Sequence, residues 1–181
     1  MRLFKFIKPF LLVWGAISFA AFIAFAILGS YNLVFANHNK DDSATLNDVR
    51  FVLNSCKLGD KHIEKVVHSH VSARSFSGDH LDAFAIKISK IEMTELTSNT
   101  NDASGQWYRG DQLPQVVNDA LKFVTACHQE IPWFPNEQEL RSSEFYAYPW
   151  SIHYYGINPS AAELIFISPS DKMIFYFESK I

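Results

Sequence analysis

The hydrophobic and polar positions of the chain divide it sharply near its start. From Pro9 to Leu28 the sequence reads PFLLVWGAISFAAFIAFAIL, without one charged residue. An α-helix of that length covers about 30 Å, the thickness of the hydrocarbon core of a bilayer. Arg2, Lys5 and Lys8 precede the run, and basic residues stay on the cytoplasmic side of a membrane. The pattern predicts a transmembrane anchor with a cytoplasmic N-terminus and an extracytoplasmic remainder.

A cleaved signal peptide is the alternative interpretation of the same run. The tripeptide VFA, which ends at Ala36, has small residues where a leader peptidase requires them, and it precedes the polar stretch NHNKDD. Cleaved signal peptides usually have a shorter apolar core of about 7–15 residues, so the length favours a retained anchor. Localisation is therefore predicted as single-pass membrane protein, or as secreted or periplasmic after cleavage near Ala36.

Two later stretches repeat apolar residues at helical spacing. In the first, Thr45 and Asp48 form a capping-box pattern and Gly59 is a plausible stop; in the second, Pro114 suits the first turn. The shared apolar face of the first helix comprises Leu46, Val49, Leu53 and Cys56. That of the second comprises Val116, Val117, Ala120, Val124 and Cys127.

Strand-like runs lie between and after these helices. Two precede the second helix, and EFYAYPWSIHYY, ELIFIS and KMIFYFES follow it. Because strands adjacent in sequence tend to pair, the order predicts an α+β domain: an antiparallel sheet of about five strands with both helices packed on one face. The predicted organisation is a basic cytoplasmic tail (1–8), an anchor (9–29), a stalk (30–43) and one extracytoplasmic domain (44–181).

The chain has two cysteines, Cys56 and Cys127. In an oxidising compartment such a pair indicates a disulfide, and both residues fall on the inward faces of their predicted helices. The alternative is two buried free thiols. The sequence favours the disulfide.

Charge excludes one class of partner. The first thirty residues hold three of the sixteen basic side chains and none of the nineteen acidic ones, which leaves the remainder with a formal net charge of −6. Such a domain lacks the positive field that draws proteins onto nucleic acids. The lipid bilayer is therefore expected as a partner only through the N-terminal helix.

The stretch VVHSHVSARSFSGDH is the densest in candidate chemistry. A turn centred on Gly78 and Asp79 would place Val71 opposite Ile86, leaving His68 and His70 on a polar face opposite Ser89 and Lys87. Zinc requires three or four converging ligands, so His68 and His70 are weak metal candidates. The pattern favours a solvated strand face, and neither a metal nor a cofactor is predicted.

Few features of the sequence indicate an enzyme. Asp79, His80 and His153 are candidates for a hydrolase, but the sequence contains no nucleophile elbow, zinc-protease motif, phosphate-binding loop or dinucleotide fingerprint. The prediction leans towards a protein without catalytic residues.

The run of aromatic residues after the second helix is the best candidate for a binding surface. As one extended strand, EFYAYPWSIHYY would place its even-numbered aromatics on one face, and Pro149 argues for a sheet edge. The alternative is that this face is core beneath the helices. The candidate binding residues are Trp133, Phe134, Tyr146, Tyr148, Trp150 and Tyr154.

These observations predict a membrane-anchored, extracytoplasmic (periplasmic-type) interaction protein. Its partner would be another protein, as for an inhibitor, an immunity protein or an accessory factor of envelope assembly. A module that binds a small ligand or a cell-wall glycan is the alternative, and a hydrolase is the third hypothesis.

Overall fold

The structure is a computed structural model that describes residues 4–31, 37–59, 62–96 and 105–181, with side chains of the first helix from Pro9 onwards. The chain forms two compact units, Met1–His38 and Asn39–Ile181.

The first unit contains one long helix, α1 (Phe4–Tyr31). Its apolar part, Pro9–Tyr31, is 23 residues long, which corresponds to about 34 Å at 1.5 Å per residue. None of its most apolar stretch is buried in protein. The helix is long and apolar enough to cross a membrane, and it fits either a signal anchor or a signal sequence.

In the second unit, the described residues form a seven-stranded antiparallel sheet in the order β1-β2-β3-β7-β6-β5-β4. This confirms the α+β class with an antiparallel sheet. The structure adds two outermost strands of two residues each, too short to show any alternation in the sequence. The strands are β1 (Lys40–Asp41), β2 (Ile63–Val71), β3 (His80–Ile88), β4 (Tyr108–Arg109), β5 (Tyr146–Tyr155), β6 (Asn158–Ser168) and β7 (Met173–Lys180).

The two predicted helices, α2 (Leu46–Ser55) and α4 (Gln115–Ala126), lie on opposite faces of this sheet instead of one. The α2 face buries Phe84, Ile86, Ile165, Ile167 and Tyr176 among others. The α4 face buries Ala83, Ala147, Leu164, Phe166 and Phe177 among others. Strands β3, β6 and β7 are therefore apolar on both sides, as strands covered on both faces must be.

Short helical segments complete the second unit. These are α3 (Met93–Leu96), a 3₁₀ turn at Gly110–Gln112, and α5 (Glu137–Leu140), which begins with a capping box on Asn136. A Cβ at Gly110 would overlap the backbone carbonyl oxygens of Ser142 and Leu140, so only glycine fits there.

The predicted register of the β2–β3 hairpin is wrong. Val71 lies opposite Asp82 rather than Ile86, because residues 72–79 form a longer loop with a tight turn in which the Gly78 amide donates to the Ser75 carbonyl (3.0 Å). Two register shifts then interrupt β2. Each β-bulge reverses which face the following side chains occupy, which no alternation rule could anticipate.

The predicted disulfide is also wrong, since both cysteines are free. Cys56 is buried in the cluster beneath α2, whereas Cys127 packs at the end of α4 against the opposite face. The sheet lies between the two thiols. Burial raises the pKa of the Cys56 thiol to about 12, which suppresses the reactive thiolate.

Alkylation of the denatured, unreduced full chain should add two adducts, because both thiols are free. Serine substitution should distinguish the two positions. Cys56→Ser places a hydroxyl in an apolar core and should cost about 1–3 kcal/mol of unfolding free energy, whereas Cys127→Ser should change it by less than about 1 kcal/mol. Mass spectrometry and urea unfolding in detergent micelles provide the measurements. A chain that gains the two adducts only after reduction would contain a disulfide, which would contradict the placement of the two thiols on opposite faces of the sheet.

Candidate functional site

The six aromatic candidates do not form one surface. Phe134 is 2% exposed and makes edge contacts with Phe166, Phe175 and Phe177 in the core of the α4 face. Trp133 is half-buried and borders an open groove of about 730 Å³. Phe134 is therefore a structural residue, and Trp133 lies on a separate surface.

Tyr146 and Tyr148 pack on the α2 face. Tyr148 is 4% exposed and contacts Trp107 at a ring-centroid distance of 5.1 Å. Burial raises the pKa of its hydroxyl. At these two positions the alternative, that the aromatic face is core, describes the structure.

Trp150 behaves differently because of a bulge in β5. The register passes from Pro149 opposite Leu164 to Ser151 opposite Glu163, so Trp150 has no register partner in β6. Its side chain is 42% exposed. The bulge also reverses the alternation, so Ser151 lies on the α2 face and Ile152 packs on the α4 face. The predicted single aromatic stripe is therefore wrong.

The end of the β5–β6 hairpin carries further exposed aromatic residues. Tyr154 is 40% exposed, and its hydroxyl donates to the backbone carbonyl of Val116 in α4 (3.3 Å). Tyr155 is 85% and Ile157 is 90% exposed. Gly156, at φ 65°, supplies the left-handed conformation that this tight turn requires.

The outer side of β5 is largely open. Strand β4 pairs only with Tyr146 and Ala147, and β5 is otherwise paired, within the described residues, only through its inner side with β6. We define the β5 edge as the outer side of residues 150–155 together with the turn residue Ile157. It comprises Trp150, Tyr154, Tyr155 and Ile157 as its exposed large apolar residues.

His68 and His70 contact carboxylates in β1 and directly after it. His70 Nδ1 lies 2.6 Å from Asp41 Oδ1, and His68 Nδ1 lies 3.4 Å from Asp42 Oδ1. The His68 ring also stacks on Trp133 with centroids 5.4 Å apart. Among the residues with described positions, no three histidine, cysteine, aspartate or glutamate side chains are grouped as metal ligands.

Two of the hydrolase candidates, Asp79 and His80, are hydrogen-bonded to neighbouring groups of the chain. Asp79 accepts a hydrogen bond from Ser77 (2.6 Å). His80 Nδ1 lies 2.8 Å from the Gly78 carbonyl and its Nε2 lies 3.0 Å from Glu178 Oε1. A catalytic histidine needs one ring nitrogen for its substrate, and both nitrogens of His80 already face oxygen atoms.

The structure reveals a polar chain that the sequence analysis missed. Tyr176 is 1% exposed, and its hydroxyl lies 2.7 Å from Glu163 Oε1 and 2.9 Å from Glu178 Oε2. Together with His80 and His153, both glutamates line a cavity of about 240 Å³ on the α2 face. In the sequence, Glu163 directly precedes the apolar run LIFI of β6 and Glu178 directly follows MIFYF in β7, which was the available signal.

Comparison with known proteins adds no identity: no protein-family model, no curated protein and no solved structure matches this chain.

Alanine substitutions should separate the buried aromatics from the exposed ones. Tyr148→Ala opens a cavity in the core and should lower the free energy of unfolding by about 3–4 kcal/mol. Trp150→Ala removes a side chain that is already partly in solvent, so the loss should stay below about 1 kcal/mol. Urea unfolding of the full chain in micelles measures both. Equal losses would show that Trp150 belongs to the core.

Proposed function

We propose that this chain is a membrane-anchored extracytoplasmic binding protein and that its partner is a protein that adds one extended segment to the β5 edge. The observation that carries the proposal is the open outer side of β5 beyond Ala147. An edge strand presents backbone N–H and C=O groups that pair readily with another strand. Many peptide-binding domains recognise an extended partner by this strand addition.

The side chains of the β5 edge support the same proposal. Tyr155 and Ile157 are more than four-fifths exposed, and Trp150 and Tyr154 are each about two-fifths exposed. Exposed apolar residues concentrated at one place favour a binding surface. Tyrosine and tryptophan are the residue types that contribute most often to binding energy at protein interfaces.

The β5 edge also carries none of the charged or proline residues that commonly protect an edge from pairing. Natural edge strands carry lysine, inward-pointing charges or proline at positions that block a neighbour. The sequence WSIHYYGI, residues 150–157, contains no lysine, arginine, aspartate, glutamate or proline. Pro149 lies at the beginning of the open section, where it marks the limit of possible pairing.

The helix α1 supports the membrane part of the proposal. Its apolar section is 23 residues long, which exceeds the usual core of a cleaved signal peptide. The basic residues before it favour a cytoplasmic N-terminus. A tethered, acidic binding domain fits an inhibitor, an immunity protein or an accessory factor of an envelope assembly.

Topology is testable at Phe76, whose side chain is fully exposed in the loop of residues 72–79. In a Cys127→Ser background, Phe76→Cys should react in intact cells with a membrane-impermeant maleimide, because the domain lies outside. The parent Cys127→Ser chain is the control, since its remaining Cys56 is buried. Intact mass of the membrane fraction should include residues 1–36.

Labelling that requires permeabilised cells would contradict the orientation. A mature mass that begins after Ala36 would replace the anchor with a cleaved signal peptide and leave the extracytoplasmic location unchanged.

The β5 edge is testable by photocrosslinking. A benzophenone amino acid at Tyr155 should crosslink in native membranes to one short segment of one protein, and the same probe at Phe76 is the matched exposed control. Trp150→Ala combined with Ile157→Lys should reduce the Tyr155 crosslink by about tenfold or more, as loss of a binding hot spot does. Phe76→Lys should leave it unchanged. Mass spectrometry of the crosslinked peptides gives the readout.

Equal crosslinking at Phe76 and Tyr155, or a Tyr155 crosslink insensitive to the double substitution, would contradict docking at this edge. A crosslink to a glycan strand would favour the alternative binding function.

A further inference from the structure

Three carboxylates form a row across the α2 face. Asp82 in β3 lies opposite Glu178 in β7, which lies opposite Glu163 in β6. Like charges directly opposite one another in a sheet are destabilising. Asp82 forms an ion pair with Arg74 (2.6 Å), and Glu178 lies 3.0 Å from His80. Glu163 instead contacts two hydroxyl groups, those of Tyr176 and Ser151.

The Tyr176 hydroxyl has one hydrogen and cannot donate it to both glutamates. It lies within hydrogen-bond distance of Glu163 and Glu178, and a phenol donates a single O–H. If both glutamates were ionised, one of these short contacts would join two acceptors. A proton on one of the two carboxyl groups removes this conflict, because that carboxyl group then donates to the phenol oxygen.

The surroundings indicate which glutamate carries this proton. Burial raises the pKa of Glu163, the charge of Glu178 raises it further, and the hydrogen bonds from Tyr176 and Ser151 oppose the shift. Burial and the two glutamates also raise the pKa of Tyr176, so the phenol keeps its own hydrogen. Glu178 faces a histidine ring nitrogen that can donate to it.

We propose that Glu163 and Tyr176 form a proton-operated latch beneath the β5–β6 hairpin, closed when Glu163 is protonated and loosened when it ionises. In the closed state the Glu163 carboxyl donates to the Tyr176 oxygen, and Tyr176 donates to the Glu178 carboxylate. His80 faces Glu178 through Nε2 and the Gly78 carbonyl through Nδ1. Glu163, Tyr176 and Glu178 are then each hydrogen-bonded.

The latch reaches the β5 edge through Ser151. This residue lies opposite Glu163, donates to its Oε2 atom (3.4 Å) and directly follows Trp150. When Glu163 loses its proton, the carboxylates of Glu163 and Glu178 both face the Tyr176 hydroxyl, which has one hydrogen to donate. The inference therefore rests on the proposed function, because the latch would regulate binding of the partner at the β5 edge.

Other charged groups face the same cavity and set the size of the effect. Lys180 of β7 and His153 of β5 line it together with His80 of β3, and the Asp82–Arg74 pair borders the row on its β3 side. Positive charge on Lys180, His80 or His153 favours ionised Glu163, whereas Glu178 opposes it. A raised pKa means that the stabilisation is complete below the ordinary value of 4.5 and disappears as pH rises through the raised value.

Hydrogen exchange of the full chain in micelles tests the latch. Protection of the peptide covering residues 150–160, corrected for the intrinsic pH dependence of exchange, should fall by up to about tenfold per pH unit between the ordinary and the raised pKa of Glu163. Glu163→Gln, whose amide donates to Tyr176 at every pH, should abolish this fall. Glu144→Gln, at an exposed position, is the matched control, and His80→Gln should retain the fall.

An independent measurement uses only the wild-type chain, so it does not depend on the folding of a variant. The infrared C=O stretch of a protonated carboxyl group should persist in the wild-type chain above pH 4.5. The latch is overturned if this band is absent, if protection does not fall, if Glu163→Gln retains the fall, or if His80→Gln alone abolishes it.

Crosslinking from Tyr155 at each pH separates the two proposals. Absence of a crosslink at every pH would overturn docking while leaving the exchange result intact. A crosslink of constant yield, despite pH-dependent protection, would overturn control of docking by the latch. A yield that follows protection, and that becomes independent of pH in Glu163→Gln, supports both.

Discussion

The fold depends on burying both faces of one sheet. Leu164, Ile165, Phe166 and Ile167 are consecutive residues of β6, and all four are fully buried, which is possible only because α2 and α4 lie on opposite faces. Each helix alone would leave the other face of β3, β6 and β7 in water. Since burial of apolar area is the main favourable contribution to folding, the two helices and the central strands stabilise one another as a single unit.

The parts of this fold that follow a regular period were predictable from sequence. Helices α2 and α4 lie where their apolar spacing and their start and stop residues placed them, and the C-terminal strands joined by PSD form a hairpin. The placement of the helices on opposite faces was not predicted, although the unbroken run LIFI in β6 contained the signal. A strand with only one buried face would have alternated.

The candidate site was harder to predict from the sequence because β-bulges determine which side chains are exposed. One extra residue at Trp150 separates Tyr148, which is core, from Tyr154, which is partly exposed. His68 and His70 contact Asp42 and Asp41 because the two-residue strand β1 pairs with the end of β2. A bulge depends on the pairing of two whole strands, so it has no local sequence signature. The polar chain at Tyr176 joins residues from three strands, and no single stretch shows it.

The position of the free thiols has a consequence for biosynthesis. Cys56 and Cys127 both precede β6 and β7 in the chain, so they are made before the central strands that keep them apart in the finished domain. If the domain is exported as proposed, the nascent chain is exposed to an oxidising compartment during that interval, in which the two thiols can form a disulfide. A bridge made then would tie together two helices that belong on opposite sides, and strands β6 and β7 could no longer insert between them. Rapid completion of the sheet would therefore favour the native protein, in which both thiols are free.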